Sequence, residues 1–150
     1  MKMKFRSPPN KRVIALCQGP FAPILGRLIL LLTTTGRKSG FPRTTPLQYE
    51  EVDGCFYIGS ARGTEADWFR NILSNPHVEV QVKNRRFQAI AEPVTDPLRI
   101  ADFLQLRLQR HPWMVGGILA SEGLPRKPTQ KQLETYAVRL AMVILRPEDP

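Results

Sequence analysis

The segment TTTGRKSGFPRTTPL, Thr33 to Leu47, combines three cations with two glycines, two prolines and six hydroxyls. The cations are Arg37, Lys38 and Arg43, and the segment directly follows the apolar run Leu28-Ile29-Leu30-Leu31-Leu32. A turn out of a core needs glycine but not concentrated positive charge. A phosphate or carboxylate needs both: backbone N–H groups in a glycine-permitted corner, and cations that reach the same point. Gly36-Arg37-Lys38-Ser39-Gly40 is such a corner, and a solvated basic loop is the plain alternative. If Arg43 opens a strand, Thr45 and Leu47 share its face, while Thr44 and Pro46 take the other. A second candidate is Ser60-Ala61-Arg62-Gly63, which joins an apolar strand to a helix start. Orphan N–H groups and the helix dipole favour an anion or an electron-rich ring edge there; otherwise Gly63 is only a turn glycine. Trp68 falls in the exposed first turn of that helix, as a core residue or as a stacking surface.

Acid–base and nucleophilic machinery is hard to assemble from the remaining residues. Cys17 and Cys55 have no basic partner at useful spacing, and no Ser-His-Asp set suggests itself. Both thiols read as small core residues of a protein kept in a reducing cytoplasm. His77 and His111 are not spaced as a helical metal pair, so no metal site is expected. Such a chain suits chemistry in which a bound cofactor carries the reactive electrons and the protein supplies position and water exclusion.

The charge balance agrees. Twenty-two Lys and Arg against 13 Asp and Glu give +9, which calls for an anionic partner. Nucleic acid, a membrane surface and a phosphorylated, carboxylate-rich small molecule all qualify. Nucleic-acid surfaces interleave aromatics with their cations; here only Phe41 and Tyr49 accompany Arg37, Lys38 and Arg43, so nucleic acid is not expected. The N-terminal MKMKFRSPPNKR reads as a basic arm over residues 1–12 that is able to rest on an anionic membrane. Val13 to Leu16 is too short for a signal-peptide core of ~7–15 residues, and Ile24 to Leu32, broken by Gly26 and Arg27, is far below the ~20 of a membrane span.

The elements that must hold these residues follow from periodicity. At 150 residues one domain, 1–150, is expected. Residues 11–26 suggest a short broken helix and 27–35 a buried strand. Arg43 to Val52 reads as the next strand, turned at Asp53-Gly54 into the antiparallel CFYIGSA. Thr64 to Asp67 resembles a capping box ahead of a helix with Ala66, Phe69, Ile72 and Leu73 on its inner face. HVEVQV alternates with period two, Asn84-Arg85 turns the chain, and RFQAIAEPV returns it. Lys83, Arg85 and Arg86 then sit at a solvated hairpin tip. Helices open at Asp96-Pro97, after Pro112 and at Thr129, and YAVRLAMVILRP closes the chain as a strand. The expected fold is α+β: an antiparallel split β-barrel of about six strands with flanking helices, or else an open sheet.

From Leu32 to Val94, the motifs LTTTGRKSGFPRTTPLQY, DGCFYIGSARG and DWFRNILSNPHVEVQV, in that order and spacing, resemble the deazaflavin-dependent nitroreductase and quinone reductase family. The resemblance implies a split barrel related to flavin-mononucleotide-binding reductases. It implies coenzyme factor 420, a deazaflavin with a phosphodiester and an oligoglutamate tail, as hydride donor to quinones, nitroaromatics or similar acceptors. Carried onto this chain, Arg37, Lys38, Ser39 and Arg43 would hold phosphate and tail. Thr44, Thr45, Pro46 and Leu47, with Gly59, Ser60, Ala61, Arg62 and Gly63, would line the cofactor, and Asp67, Trp68 and Asn71 would close its other side. Tyr136 is the candidate for substrate contact. A homodimer is also implied. A barrel loaded with flavin mononucleotide, haem or a fatty acid, without turnover, is the alternative.

Overall fold

A computed structural model describes Ile14 and residues 28–148; the expected basic arm, Cys17 and, Ile14 apart, the broken helix lie outside the described residues. Seven strands form one antiparallel sheet. They are β1 (Ile29–Thr35), β2 (Pro42–Gln48), β3 (Glu50–Val52), β4 (Cys55–Ser60), β5 (His77–Val82), β6 (Arg85–Val94) and β7 (Ala141–Pro147). Helix α1 (Asp67–Ser74) sits between β4 and β5, while α2 (Pro97–Arg110), α3 (Pro112–Ser121) and α4 (Gln130–Ala137) lie between β6 and β7.

The strand order is β2-β1-β5-β6-β7-β4-β3. Its two edges, β2 and β3, are separated in sequence by Tyr49 alone. Two edges tied by one residue require the sheet to curl until they meet, which makes a barrel. The expected single strand from Arg43 to Val52 is therefore two strands. Residues 42–48 pair with β1, and 50–52 pair with β4. Tyr49, itself buried, packs its ring 5.6 Å from that of Phe56 at the crossing.

The curl creates two apolar layers. Inside are Leu30 and Leu32, Phe56 and Ile58, Val78, Val80 and Val82, Ala89 and Ala91, and Val143 and Leu145, stoppered by Ala66, Trp68, Phe69 and Ile72. Outside, Met142 and Ile144 of β7 meet Ile100, Phe103, Leu104, Val115, Leu119 and Leu133 of the three later helices. β7 is covered on both faces, so it reads as a continuous apolar run instead of an alternating one.

Turn chemistry explains most boundaries. Asp53 and Gly54 both take positive φ, 53° and 79°, as a two-residue hairpin turn demands. The next hairpin turns one residue earlier than expected, at Lys83-Asn84, with Lys83 at φ 57° and Arg85 already in β6. Asp96 caps α2 by accepting from the Leu98 N–H, and Thr129 with Gln132 forms a full capping box on α4. The capping box expected near Thr64 does not form. A 3-10 turn, Gly63–Glu65, intervenes, and α1 starts after Ala66 with no side-chain cap. Leu73 is exposed, because Trp68 and Asn71 share the inner face of α1 with Phe69 and Ile72. Tyr136 belongs to α4, not to the closing strand, and Cys55 is half-buried instead of a core residue.

Candidate functional site

The corner between β1 and β2 is a closed loop. The Gly36 N–H donates to the Phe41 carbonyl and the Gly40 N–H to that of Gly36, each at 2.8 Å. A Cβ on Gly36 would lie 2.7 Å from Ser39 Oγ and 3.0 Å from the Phe41 carbonyl, so a side chain there would displace the Ser39 hydroxyl and crowd the loop. The Ser39 hydroxyl in turn accepts from the Phe41 N–H at 3.2 Å.

Arg37 leaves this loop toward α1. Its Nη1 donates to Asn71 Oδ1 at 2.9 Å, and its backbone N–H donates to the same oxygen at 3.2 Å. Its Nη2 meets Asp67 Oδ1 at 3.1 Å. Asn71 is 4% exposed and donates from Nδ2 to Thr34 Oγ1 at 3.1 Å. The side chain of Asn71 thus links β1, the corner and α1. The Arg37 hydrogen bond holds the Asp67 carboxyl below the usual carboxylate range, and the Arg37, Arg62 and Arg70 charges add to this.

Among the described residues β2 pairs on one side only, with β1, and its other backbone edge meets no strand. An edge is where a strand tolerates the prolines at 42 and 46. The alternation of faces expected along Thr44 to Leu47 does not decide which of them line the space beside the strand. All four do, since the cleft opens along the edge. Thr44 Oγ1 is 2.9 Å from Thr33 Oγ1 across the β1–β2 pair.

Opposite the corner, β4 ends in Gly59-Ser60. Ser60 is buried and donates from Oγ to the Gly63 carbonyl at 2.7 Å. Gly63 has φ +60°, and a Cβ there would come within 2.8 Å of the Arg139 carbonyl. Gly63 shapes the exit from β4 but does not line the cleft.

Corner, β2 edge, β4 end and α1 enclose a cleft of about 1000 Å³. Arg37, Lys38, Ser39, Arg43, Thr44, Thr45, Pro46, Leu47, Gly59, Ser60, Ala61, Arg62, Asp67, Trp68 and Asn71 all line it. Trp68 is 9% exposed, not in an exposed turn; it packs edge-on against Phe69 and belongs to the barrel interior as well as to the cleft wall. Tyr136 is not brought there: it packs in the outer layer with the Arg139 guanidinium 5.0 Å from its ring centroid. Gly36, Pro42, Ala66 and Ile14 also line the cleft. The first two lie inside the cationic segment, whereas nothing in the sequence marks Ile14.

Among the described residues the cleft holds four cations and a single carboxylate. Asp67 is occupied with Arg37, which leaves Lys38, Arg43 and Arg62 with no carboxylate within 4 Å among the described residues. Such a lining is electrostatically suited to an anion, and its described residues offer no evident acid–base pair.

Residues 18–113 match the family of F420H(2)-dependent quinone reductases. That span is well over half of the chain. The chain belongs to this family. Its resemblance to the F420H(2)-dependent quinone reductase Rv1261c of Mycobacterium tuberculosis is 40% identity over 68 residues. That stretch is 43% of this chain and 46% of the relative, so the chain spans less than half the length of the curated relatives it matches. Among solved structures, an F420-H2 dependent reductase, FDR-A, superposes with a TM-score of 0.55 at 24% identity, over 80% of this chain and 95% of that one. Another, described as a domain-swapped dimer, gives 0.56 at 22% identity, over 91% and 92%. At such identities the family members and their neighbours share the split-barrel fold, and the expectation of a split barrel is borne out. The family match also runs further in both directions than the Leu32 to Val94 motifs.

Proposed function

We propose that this protein is a deazaflavin-dependent oxidoreductase, passing a hydride from reduced coenzyme factor 420 to a quinone, nitroaromatic or similar activated acceptor. The observation that carries this reading is the cleft with three unpaired cations, Lys38, Arg43 and Arg62, in a chain of the quinone reductase family. The cleft volume is at the upper end of small-molecule sites, enough for a fused ring system and a charged extension. When bound, the reduced deazaflavin supplies the hydride. Lys38 and Arg43 hold its phosphate at the corner, and Arg62 reaches the carboxylates of its tail. The open edge of β2 offers backbone N–H and carbonyl groups to the ring, and Trp68 closes the wall behind it. Arg37 contributes mainly by pinning the corner to α1. Excluding water and fixing donor against acceptor are the protein's contributions to rate.

A homodimer completes the proposal, supported by the dimeric structure that shares this fold. The decisive experiment titrates the protein with tailed deazaflavin and with flavin mononucleotide over a range of salt, then follows oxidation of reduced deazaflavin by menadione. Tighter binding of the tailed molecule is expected, with the preference shrinking as salt rises. Binding without faster oxidation than the protein-free control would make the protein a carrier. Tighter binding of flavin mononucleotide at every salt concentration would overturn the deazaflavin assignment.

A further inference from the structure

Helix α3 has the sequence PWMVGGILAS, with no charged residue in ten. One side of it is core: Val115, Gly116 and Leu119 are buried against the outer layer. The other side has one polar side chain, Ser121, whose hydroxyl donates to the Ile118 carbonyl. Trp113 is 82% exposed and Ile118 43%, on a helix where a soluble surface would carry charge. The chain then folds back so that the Arg126 guanidinium lies 5.6 Å from the Trp113 ring centroid, and the Arg126 carbonyl lies beside Gly116.

Between residues 97 and 148, Arg99, Arg107, Arg110, Arg139 and Arg146 all meet carboxylates. Arg126, Lys127 and, on α4, Lys131 meet none among the described residues, and Glu122, which follows α3, is paired with Arg139 at 3.4 Å. An exposed tryptophan and isoleucine beside unpaired cations match the boundary of an anionic bilayer. Aromatic rings settle at headgroup depth there, and Lys and Arg meet the lipid charge.

We propose that α3 docks this protein on an anionic lipid surface, with Trp113 and Ile118 entering the interface and Arg126 and Lys127 against the headgroups. A second copy of the chain fits the face less well. Even a fully covered Trp supplies only ~150–250 Å², against about 800 Å² per partner in a stable interface. The proposal does not depend on what the cleft binds.

Co-sedimentation of the full chain with phosphatidylcholine vesicles, with and without phosphatidylglycerol, tests it. Binding is expected with phosphatidylglycerol and is expected to weaken with salt. Trp113→Ala should bind about tenfold more weakly and Arg126→Gln about fivefold. Bromine-labelled lipid should quench Trp113 in the bound protein while buried Trp68 stays bright. Trp113→Phe should keep the binding and lose the quench. Vesicle binding unchanged in Trp113→Ala would assign the contact to another segment, such as the basic arm, and overturn the proposal. So would equal binding to uncharged vesicles. A dimer that dissociates in Trp113→Ala, with no vesicle binding, would give the face to a second copy instead.

Discussion

Lys38 and Arg37 are neighbours in sequence with different electrostatic situations. Arg37 spends its hydrogen bonds on Asn71 and Asp67, so its charge is largely neutralised within the protein. Lys38 and Arg43 are exposed and unpaired at the same corner. A charge-assisted contact contributes roughly 1.5–3 kcal/mol, so Lys38→Ala or Arg43→Ala should each weaken deazaflavin binding ~10–100-fold, more at low salt than at high. Isothermal titration of each variant checks this, and unchanged affinity in both would remove the corner from the site. Asp67 makes a different prediction. Its folded pKa lies below its unfolded value of about 3.9. Its ionised form therefore favours the latched corner at all pH above that value, and the contribution is lost as pH falls through the folded pKa. Amide protection of residues 36–41, measured against the intrinsic exchange rate at each pH, should fall below about pH 4, and Asp67→Asn should show the lower protection already at neutral pH.

At the level of elements, the joint between β3 and the helical layer is carried by Glu50. It is 3% exposed, and its carboxylate meets Arg107 Nε at 3.3 Å and Arg110 Nη1 at 3.4 Å. Arg107 Nη2 also donates to Gln48 Oε1 at 2.6 Å, and Arg110 Nη1 to the Glu51 carbonyl at 2.9 Å. The end of α2 is thereby fastened on both sides of Tyr49, where the chain passes between the two sheet edges. Removing one partner of a buried ion pair leaves the other charge uncompensated, which costs about 3–5 kcal/mol. Glu50→Ala should lose stability on that scale in urea unfolding, at the lower end because Arg110 is partly exposed. Replacing Glu50 and Arg107 together by Leu should lose less than Glu50→Ala alone. A loss below about 1 kcal/mol in Glu50→Ala would mean that the joint is a surface pair in effect.

For the whole molecule, β7 is the shared wall. Ala141, Val143 and Leu145 belong to the barrel interior, and Met142 and Ile144 belong to the helical layer. Neither layer can open without exposing one face of the same strand, so the two should unfold together. Trp68 reports on the barrel and helical far-ultraviolet ellipticity on the outer layer. Their denaturation curves should coincide. Val143→Ala and Ile144→Ala should both shift that single transition, Ile144→Ala by about 2–5 kcal/mol and Val143→Ala by less, since it removes fewer apolar groups. Separate midpoints for the two probes would show that the layers are independent units.

What the sequence determined by itself is local chemistry. The Thr33 to Leu47 cations, the Asp53-Gly54 turn, the caps at Asp96 and Thr129 and the Val78, Val80, Val82 alternation are each decided by a few adjacent residues. The same holds for the family motifs, and the structure brings fifteen of the expected cofactor-binding residues around one cleft. What tertiary structure alone decided is whatever depends on sequence separation. Arg43 to Val52 is uniformly strand-like, and nothing within it announces that Tyr49 divides two edges of a closed sheet. Arg37 looks equivalent to Lys38 until Asn71 and Asp67, thirty or more positions away, engage it. Trp68 reads as exposed when its helix is taken alone; the barrel mouth it fills is built from strands on either side of it in sequence. Tyr136 and Gly63 carry plausible residue types in the wrong places, since direction toward a cleft is set by packing and not by composition.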